Sequence, residues 1–437
     1  MYQRSGAKII KIACTFTATL CYTTVKSFLI CINTDTTFTD GVRRLGILNG
    51  LKILDFSTLL PGPMATMIFA DLGADVIHIE SSKRVDLMRI MPPYDEERES
   101  YIHQHVNRSK RSLTLNLKTP EATKIIKELV AEYDIVIEGF RPGVMQRLGI
   151  DYETLKQVNP KLIYCAITGY GQTGPFSNRP GHDNNYLSVA GVLDYSRHQN
   201  KKPVAMGVQI ADMAGGTMHA AIGVLAAALH REKTGEGQFI DVSMTDAVFS
   251  LNLLAGATYF GSGHVAKPEA EILNGGTFYD YYKTKDGRYF SVGSLEPQFR
   301  KLLCEALDIP ELIDSTFNDS PYTQKRFKEA IHDAFLTKTF DQWLTVFNDD
   351  FHGCVEPVLT FDEACEHPQI KARQMVAEVP SENGTQKQIA SAFKFSSSPP
   401  VYKHIGAKLG EHTTEILQSL GYTTEEIAQF EANRILV

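Results

Sequence analysis

Two titratable side chains that could move a proton stand at backbone breaks near the middle of the 437-residue chain. His182 follows Pro180-Gly181, and Asp212 precedes a run of small residues that predicts a helix. Imidazole exchanges a proton near neutral pH, whereas an aspartate has a pKa of about 4 that burial must raise. The pair therefore has the chemistry of a general acid and a general base.

Each of these residues also has a non-catalytic explanation. A histidine after Pro-Gly is often a loop or cap residue, and an aspartate before a helix is most often its N-cap. A further carboxylate, Glu296, directly precedes Pro297 and could merely begin a helix. Taken alone, the residues leave both interpretations open.

A glycine-rich turn precedes His182. Gly169-Tyr170-Gly171-Gln172-Thr173-Gly174 matches the G-x-G-x-x-G pattern of dinucleotide-binding proteins. That pattern must open a helix directly, yet Pro175 and Pro180 follow here without a helical pattern between them. We therefore exclude NAD binding and expect only a loop that lets a ligand approach the backbone.

The elements that position these residues alternate between strand and helix. A strand at 51–56, a helix from Pro61 through Leu72 and a strand at 74–80 imply a parallel β-α-β unit. The alternation continues and predicts an α/β fold with a large, Rossmann-like open parallel sheet. The further strands are expected at 113–117, 134–138, 162–167 and 238–243, and a long helix at 206–231.

Composition changes after about residue 256. Gly261-Ser262-Gly263 and Gly275-Gly276 bracket a linker, after which aromatic strands at 277–284 and 288–292 meet at Lys285-Asp286-Gly287, a hairpin signal. This predicts a smaller α+β domain. The expected divisions are an N-terminal extension (1–48), a large α/β domain (49–255), the small domain with its linkers (256–365) and a return to the large domain (366–437).

Charge and cysteine content exclude several classes of protein. A formal net charge of -7 argues against a nucleic-acid surface. The 7 cysteines contain no Cys-x-x-Cys pair, so neither a zinc site nor a disulfide framework is indicated, and we expect reduced thiols in the cytoplasm. Polar residues interrupt the apolar stretch at 9–32, so no stable membrane association is expected, although an organelle or membrane signal stays open.

A short basic turn, Asn107-Arg108-Ser109-Lys110-Arg111-Ser112, precedes the expected strand at 113–117. Arg and Lys pair strongly with phosphate, so this turn could hold a phosphorylated ligand. Three basic residues in a loop are more often simply solvated. Both interpretations stay open on the residues alone.

Five motifs, spread from Leu51 to the C-terminus, carry a likeness to a known family. The chain resembles the family III CoA-transferases, also called the CaiB/BaiF family. The likeness does not cover residues 1–48. The motifs are Leu60-Pro61-Gly62-Pro63, Ala70-Asp71-Leu72-Gly73-Ala74-Asp75-Val76, Asn107-Arg108-Ser109-Lys110-Arg111-Ser112, Asn159-Pro160-Lys161-Leu162-Ile163-Tyr164 and Gly410-Glu411-His412-Thr413.

Within that family the chain is similar to the α-methylacyl-CoA racemase branch. His182 matches the racemase histidine, which typical transferases lack, Asp212 the aspartate shared by both branches, and Glu296 the glutamate that pairs with the histidine. The resemblance implies an isomerase that interconverts (R)- and (S)-2-methylacyl-CoA through an enolate. It also implies an interlocked homodimer and no cofactor, because CoA is part of the substrate.

Two other hypotheses remain. In a CoA-transferase, Asp212 would carry an aspartyl-CoA thioester and His182 would be incidental. A protein that only binds acyl-CoA would need a pocket but not the three residues together.

The resemblance also implies that the large domain at 49–255 binds CoA, and it implies particular substrate contacts. One departure is Ser81, which stands where racemases often carry a CoA-contacting arginine; Lys83 or Arg84 is expected to substitute. The expected substrate-binding residues are Arg108, Arg111, Leu115, Asn116, Leu117, Lys118, Gly181, Asp183, Asn184, Asn185 and Tyr186.

Overall fold

A computed structural model describes residues 46–313 and 320–437, so the expected extension at 1–48 lies outside it except for its last three residues. Six parallel strands form the central sheet: β1 (Lys52–Asp55), β2 (Asp75–Glu80), β3 (Arg111–Thr114), β4 (Ile135–Glu138), β5 (Ile163–Thr168) and β6 (Phe239–Ser243). Their spatial order is β3-β2-β1-β4-β5-β6, the doubly wound order. The predicted open parallel sheet is confirmed.

Strand β3 begins earlier than predicted. Arg111 pairs with Ile77 of β2, so the end of the basic turn belongs to the sheet. The backbone N–H of Leu115 still bonds to Glu80, at 2.9 Å, but Leu115 lies beyond the strand. Pairing with β2, rather than local propensity, therefore sets this boundary.

Helices cover both faces of the sheet. One face packs against Pro120–Val130 and two C-terminal helices, and the other against Pro61–Asp71 and His219–Thr234. The helices associated with the large sheet are Pro61–Asp71, Leu87–Ile90, Tyr101–Val106, Pro120–Val130, Val144–Leu148, Tyr152–Lys156, Asp183–Val189, His219–Thr234, Met244–Ser250, Leu253–Ser262, Thr413–Ser419 and Thr424–Ala432, with a short 3-10 turn at Ser82–Arg84.

Helix Pro120–Val130 shows how sequence dictates these elements. Proline occupies its first position, and the Thr119 hydroxyl accepts the Ala122 N–H at 3.3 Å. Its apolar residues recur at helical spacing and are buried, whereas the opposite face is polar. The buried set is Ala122, Ile125, Ile126, Leu129 and Val130.

The long helix expected at 206–231 consists of two parts. Ala211–Met218 is a π-helical segment, and His219–Thr234 is a regular α-helix. Together they are long and apolar enough to cross a membrane by length and composition, a test that core helices of soluble proteins also pass. Ala220, Val224 and Ala227 belong to a core cluster beside the sheet, which identifies a packing role for this helix.

A third core belongs to the predicted small domain. The hairpin of β7 (Asp280–Lys283) and β8 (Tyr289–Val292) is present, and β9 (Val355–Pro357) completes an antiparallel sheet. Trp343 is fully buried among phenylalanines in this core. Its helices are Pro297–Ala306, Pro321–Phe335 and Phe340–Val346, with a 3-10 turn at Pro310–Leu312.

The segment that returns to the large sheet contains a hairpin that we did not predict. Helices Phe361–Glu366 and Pro368–Ala372 precede β10 (Val376–Ser381) and β11 (Gly384–Ile389), which pair antiparallel. An Asn-Gly pair at 383–384 is a hairpin signal that could have revealed it. The domain bounds 49–255, 256–365 and 366–437 stay predictions.

Candidate active site

A cavity of about 470 Å³ opens at the carboxyl ends of the parallel strands. Loops that follow β1, β4, β5 and β6 line it. The strand order reverses between β1 and β4, and ligands of doubly wound proteins bind at this switch point. Both His182 and Asp212 line this cavity, so the fold brings these two predicted residues together.

His182 is held at the start of helix Asp183–Val189. Its backbone N–H donates to Asn185 Oδ1 at 3.0 Å. The alternative of a cap residue therefore describes its backbone correctly, but its side chain is exposed and lines the cavity. One residue can serve both purposes, because its backbone N–H makes the bond to Asn185 while the residue lines the cavity.

Asp212 is not an N-cap. It is the second residue of the π-helical segment Ala211–Met218, whose capping position is Ile210. π-Helical turns are rare and occur frequently at functional sites. Small residues let the segment pack closely on its neighbours: a Cβ on Gly215 would lie 3.1 Å from the Met244 carbonyl oxygen.

Asp183 joins the two candidate residues. Its side chain is 7% exposed, and its Oδ1 accepts the N–H of Ala211 at 2.6 Å and of Asp212 at 3.2 Å. The residue after His182 thus fixes the start of the segment that carries Asp212. From the sequence we expect Asp183 to bind the substrate, which stays a prediction; in the structure its contacts hold the start of the Asp212 segment.

Burial raises the pKa of Asp212 to about 6, with a further contribution from the Asp183 carboxylate and an opposing one from His182. Among the described residues, no donor makes a hydrogen bond to the Asp212 carboxylate. The carboxyl group can therefore hold or release a proton near neutral pH, which general acid–base chemistry requires.

The glycine-rich turn makes room for an aromatic ring. A Cβ on Gly169 would lie 2.3 Å from Tyr186 Cε1, and one on Gly181 would lie 2.6 Å from the same atom. Tyr186, 6% exposed, lines the cavity between these glycines. The glycines therefore permit close packing of Tyr186 beside the cavity, consistent with the exclusion of an NAD-binding turn.

Three arginines line the cavity. The sequence had suggested only one of them, Arg84, as a binding residue. Arg84 faces the ring of Phe140, Arg179 lies 3.7 Å from the ring centroid of Phe176, and Arg141 follows β4. None of the three forms an ion pair with a described carboxylate. Such groups favour an anionic ligand. Of the two residues expected to replace an arginine at Ser81, Arg84 reaches the cavity and Lys83 does not.

Several residues expected to contact the substrate lie away from this cavity. Arg108 is 1% exposed and forms a bidentate ion pair with Asp71, at 2.9 and 2.6 Å, so its placement does not support the expected phosphate contact, which stays a prediction. Arg111 pairs with Asp75, at 2.8 Å, and lies outside the cavity. The set Leu115, Asn116, Leu117 and Lys118 does not line the cavity either, and Leu115 is fully buried in the core.

Gly181 and Tyr186, by contrast, line the cavity, whereas Asn184 and Asn185 do not, and the role of all four in substrate binding stays a prediction. Glu296 also lies outside it. This residue is exposed and precedes helix Pro297–Ala306 of the small sheet region. The chain by itself therefore brings together two of the three predicted catalytic residues.

Comparison with known proteins agrees with this architecture. The family model for CoA-transferase family III matches residues 48–413. The chain belongs to this family. A CaiB/BaiF family protein from Brucella suis superposes with a TM-score of 0.76 at 29% identity, over 86% of this chain and 100% of that one.

Curated family members with different reactions have the same percentage identity to this chain. Human α-methylacyl-CoA racemase is 34% identical over 394 residues, which cover 89% of this chain and 97% of the racemase. Human succinyl-CoA:glutarate CoA-transferase is also 34% identical, over 389 residues that cover 85% of this chain and 86% of the transferase. Identity alone therefore does not decide which reaction this family III protein performs.

Proposed function

We propose that this family III protein is a racemase that interconverts (R)- and (S)-2-methylacyl-CoA thioesters. The observation that carries the proposal is the joint presence of His182 and Asp212 in one cavity at the switch point of the sheet. Racemisation needs two proton-transferring groups, one for each face of the α-carbon. A transferase needs only the aspartate.

The proposed reaction begins with neutral His182 and protonated Asp212. His182 takes the α-proton, and the electron pair of the broken C–H bond moves into the thioester as an enolate. Asp212 then gives its proton to the opposite face of the α-carbon, leaving imidazolium and carboxylate. The roles exchange in the reverse direction, and a pKa near 6 suits Asp212 to both.

The developing enolate oxygen requires hydrogen-bond donors. Asp183 opens helix Asp183–Val189, and the first N–H groups of a helix have no acceptor within it. We therefore propose backbone N–H groups around Asp183 and the glycine-rich turn as these donors.

We further propose that Glu296 of a second copy completes the site by orienting His182. Neighbouring helices Met244–Ser250 and Leu253–Ser262 support an apolar interface between copies, since Leu253 is 74% and Phe260 78% exposed. Helix Leu253–Ser262 has no buried residue in the described chain. We propose that an interlocked second copy of the chain covers this apolar surface. We also propose that the protein takes acyl-CoA as its substrate, needs no additional cofactor and is located in the cytoplasm.

CoA transfer is the second candidate. Asp212 would attack the donor thioester to form a mixed anhydride and release CoA thiolate. The thiolate would then attack the aspartyl carbonyl, which breaks the anhydride, releases the donor carboxylate and leaves the aspartyl-CoA thioester. The Asp212 carboxylate, free of described hydrogen-bond donors, favours this candidate, and so do the equally similar transferases.

One experiment separates these reactions. The protein is incubated with a 2-methylacyl-CoA in D2O without an acceptor acid, and deuterium at the α-carbon is measured. The racemase proposal predicts incorporation that His182→Ala abolishes. CoA passing to an added carboxylate without exchange, together with hydroxylamine trapping at Asp212, would establish the transferase instead.

A further inference from the structure

The loop between β1 and helix Pro61–Asp71 has a backbone conformation that leucine rarely adopts. Leu59 has a φ of 65°, in the left-handed region where its Cβ crowds the backbone. Leu59 also lines the catalytic cavity, together with Thr58 and Pro61. Strained conformations of this kind cluster at functional sites and persist only where their surroundings hold them.

Asp86 provides the contact that holds this conformation. The Leu59 N–H donates to both carboxylate oxygens of Asp86, at 3.1 Å each. Asp86 is 7% exposed, and its Oδ1 also accepts the Met88 N–H at 3.1 Å, which anchors it at the start of helix Leu87–Ile90. A buried, anchored carboxylate thus receives the N–H of the strained residue.

The far end of the same loop contacts the segment that carries Asp212. The Thr217 hydroxyl donates to the Pro61 carbonyl oxygen at 2.7 Å. A Cβ on Gly216 would lie 2.8 Å from Pro61 Cβ, so the two backbones are in close contact. A shift of the loop would therefore displace the π-helical segment.

We propose that Asp86 is a positioning residue for the reaction at Asp212. By holding Leu59 in its left-handed conformation, Asp86 fixes the position of the cavity wall at Leu59. It also fixes the position of Pro61, against which the Asp212 segment packs. Asp86 itself does not line the cavity, so it acts through Leu59. The inference rests on the proposed acyl-CoA reaction.

A double-mutant cycle tests this proposal. Asp86→Ala should lower kcat for α-proton exchange by about 10- to 100-fold with a smaller change in KM, because small misplacements of catalytic groups are costly. Glycine adopts positive φ without steric cost, so in a Leu59→Gly background the same change should cost less than about 3-fold. Equal losses in the two backgrounds would overturn the proposal.

Asp95→Ala is the matched control. Asp95 also accepts two backbone N–H groups, those of Glu97 and Glu99, but lies outside the cavity. Its replacement should leave kcat unchanged in both backgrounds. If Leu59→Gly restores the unfolding temperature of Asp86→Ala but not kcat, the loss of kcat does not arise through Leu59 and the proposal is wrong.

Two further arrangements keep the test decisive. Asp86→Asn retains one oxygen for the Leu59 N–H and replaces the alanine variant in the cycle if that variant does not fold. Its loss of kcat should be smaller, and Leu59→Gly should suppress this loss as well. If the wild-type protein neither exchanges the α-proton nor transfers CoA, the proposed function fails. The same double-mutant cycle is then carried out with the dissociation constant of the acyl-CoA as the measured quantity. If Asp86→Asn changes that constant equally in the wild-type and Leu59→Gly backgrounds, Asp86 does not act through Leu59.

Discussion

The carboxyl edge of the parallel sheet and the aromatic antiparallel region contribute differently to the predicted site. The sheet edge brings His182 and Asp212 to one cavity and fixes them relative to each other through Asp183. The antiparallel region presents Glu296 exposed at the start of a helix, outside that cavity. The fold of one chain brings His182 and Asp212 together, whereas we propose that Glu296 reaches the site only from a second copy.

The two regions also differ in how they are stabilised. The sheet edge contains buried charged groups and a strained loop, whereas the small region surrounds Trp343 with aromatic rings, including Phe335 at 5.0 Å and Phe347 at 5.3 Å between centroids. Aromatic pairs of this kind contribute stability beyond the burial of their area. We therefore expect the small region to present Glu296 at a fixed position, and the sheet edge to be more sensitive to single substitutions.

The largest expected effect is at Asp212. Asp212→Asn removes the proton donor of one face and the nucleophile of the alternative reaction, so exchange and transfer should both fall by about 10³-fold or more. Asp246→Asn, on the adjacent helix and outside the cavity, is the control and should retain activity. Steady-state rates in D2O provide the measurement, and a loss below tenfold would contradict a role in the chemistry.

A co-expression experiment tests whether Glu296 of one chain acts with His182 of the other. His182→Ala and Glu296→Gln should each be inactive as homodimers, but co-expression should restore about a quarter of wild-type activity. Half of the random dimers are mixed, and each mixed dimer has one site with both native residues if Glu296 comes from the partner. If Glu296 acted within its own chain, co-expression would restore nothing.

A smaller effect is expected at Asp183. Asp183→Asn keeps the oxygen that accepts the Ala211 N–H but removes the charge that helps to raise the pKa of Asp212. In the direction where Asp212 is the base, activity is lost as pH falls through about 6, and the variant should shift this limb to lower pH. Rate profiles between pH 4 and 9 measure the shift. If the acidic limb does not move in the variant, the loss of activity near pH 6 belongs to a group other than Asp212.

The sequence predicted the parallel sheet well because strand and helix patterns alternate from Leu51 onward. The sequence did not predict that two basic residues of the turn at 107–112 are buried in ion pairs. Arg108 pairs with Asp71, which is 37 residues away, and the buried Lys110 pairs with Asp55, 55 residues away. Local composition made both residues resemble solvated or phosphate-binding groups, whereas burial by distant segments decides their role.

The site shows the same limit. The positions of His182 and Asp212 at backbone breaks were visible in the sequence, but their convergence depends on the strand order β3-β2-β1-β4-β5-β6. The loop at Thr58–Gly62 could have been found, because it follows the first strand of a doubly wound sheet, where ligands commonly bind. The left-handed conformation of Leu59 could not, since leucine carries no signal for it.

The smallest expected effect concerns stability at the sheet edge. Asp212 has a pKa of 3.8 when unfolded and about 6 when folded, so the native state binds more protons between these values. Stability therefore falls as pH rises through this window and stays lower above it. Asp212→Asn lacks this penalty and should unfold at a higher temperature at pH 7, with the advantage disappearing below about pH 4.

Thermal unfolding at pH 4 to 8 measures this difference, and the Asp183→Asn background provides the matched control. Removing the Asp183 charge lowers the folded pKa of Asp212, so the stabilisation by Asp212→Asn should shrink there. A stabilisation that does not depend on pH would show that burial does not perturb the carboxyl group. The sheet edge would then differ from the small region in the placement of its residues but not in the protonation of Asp212.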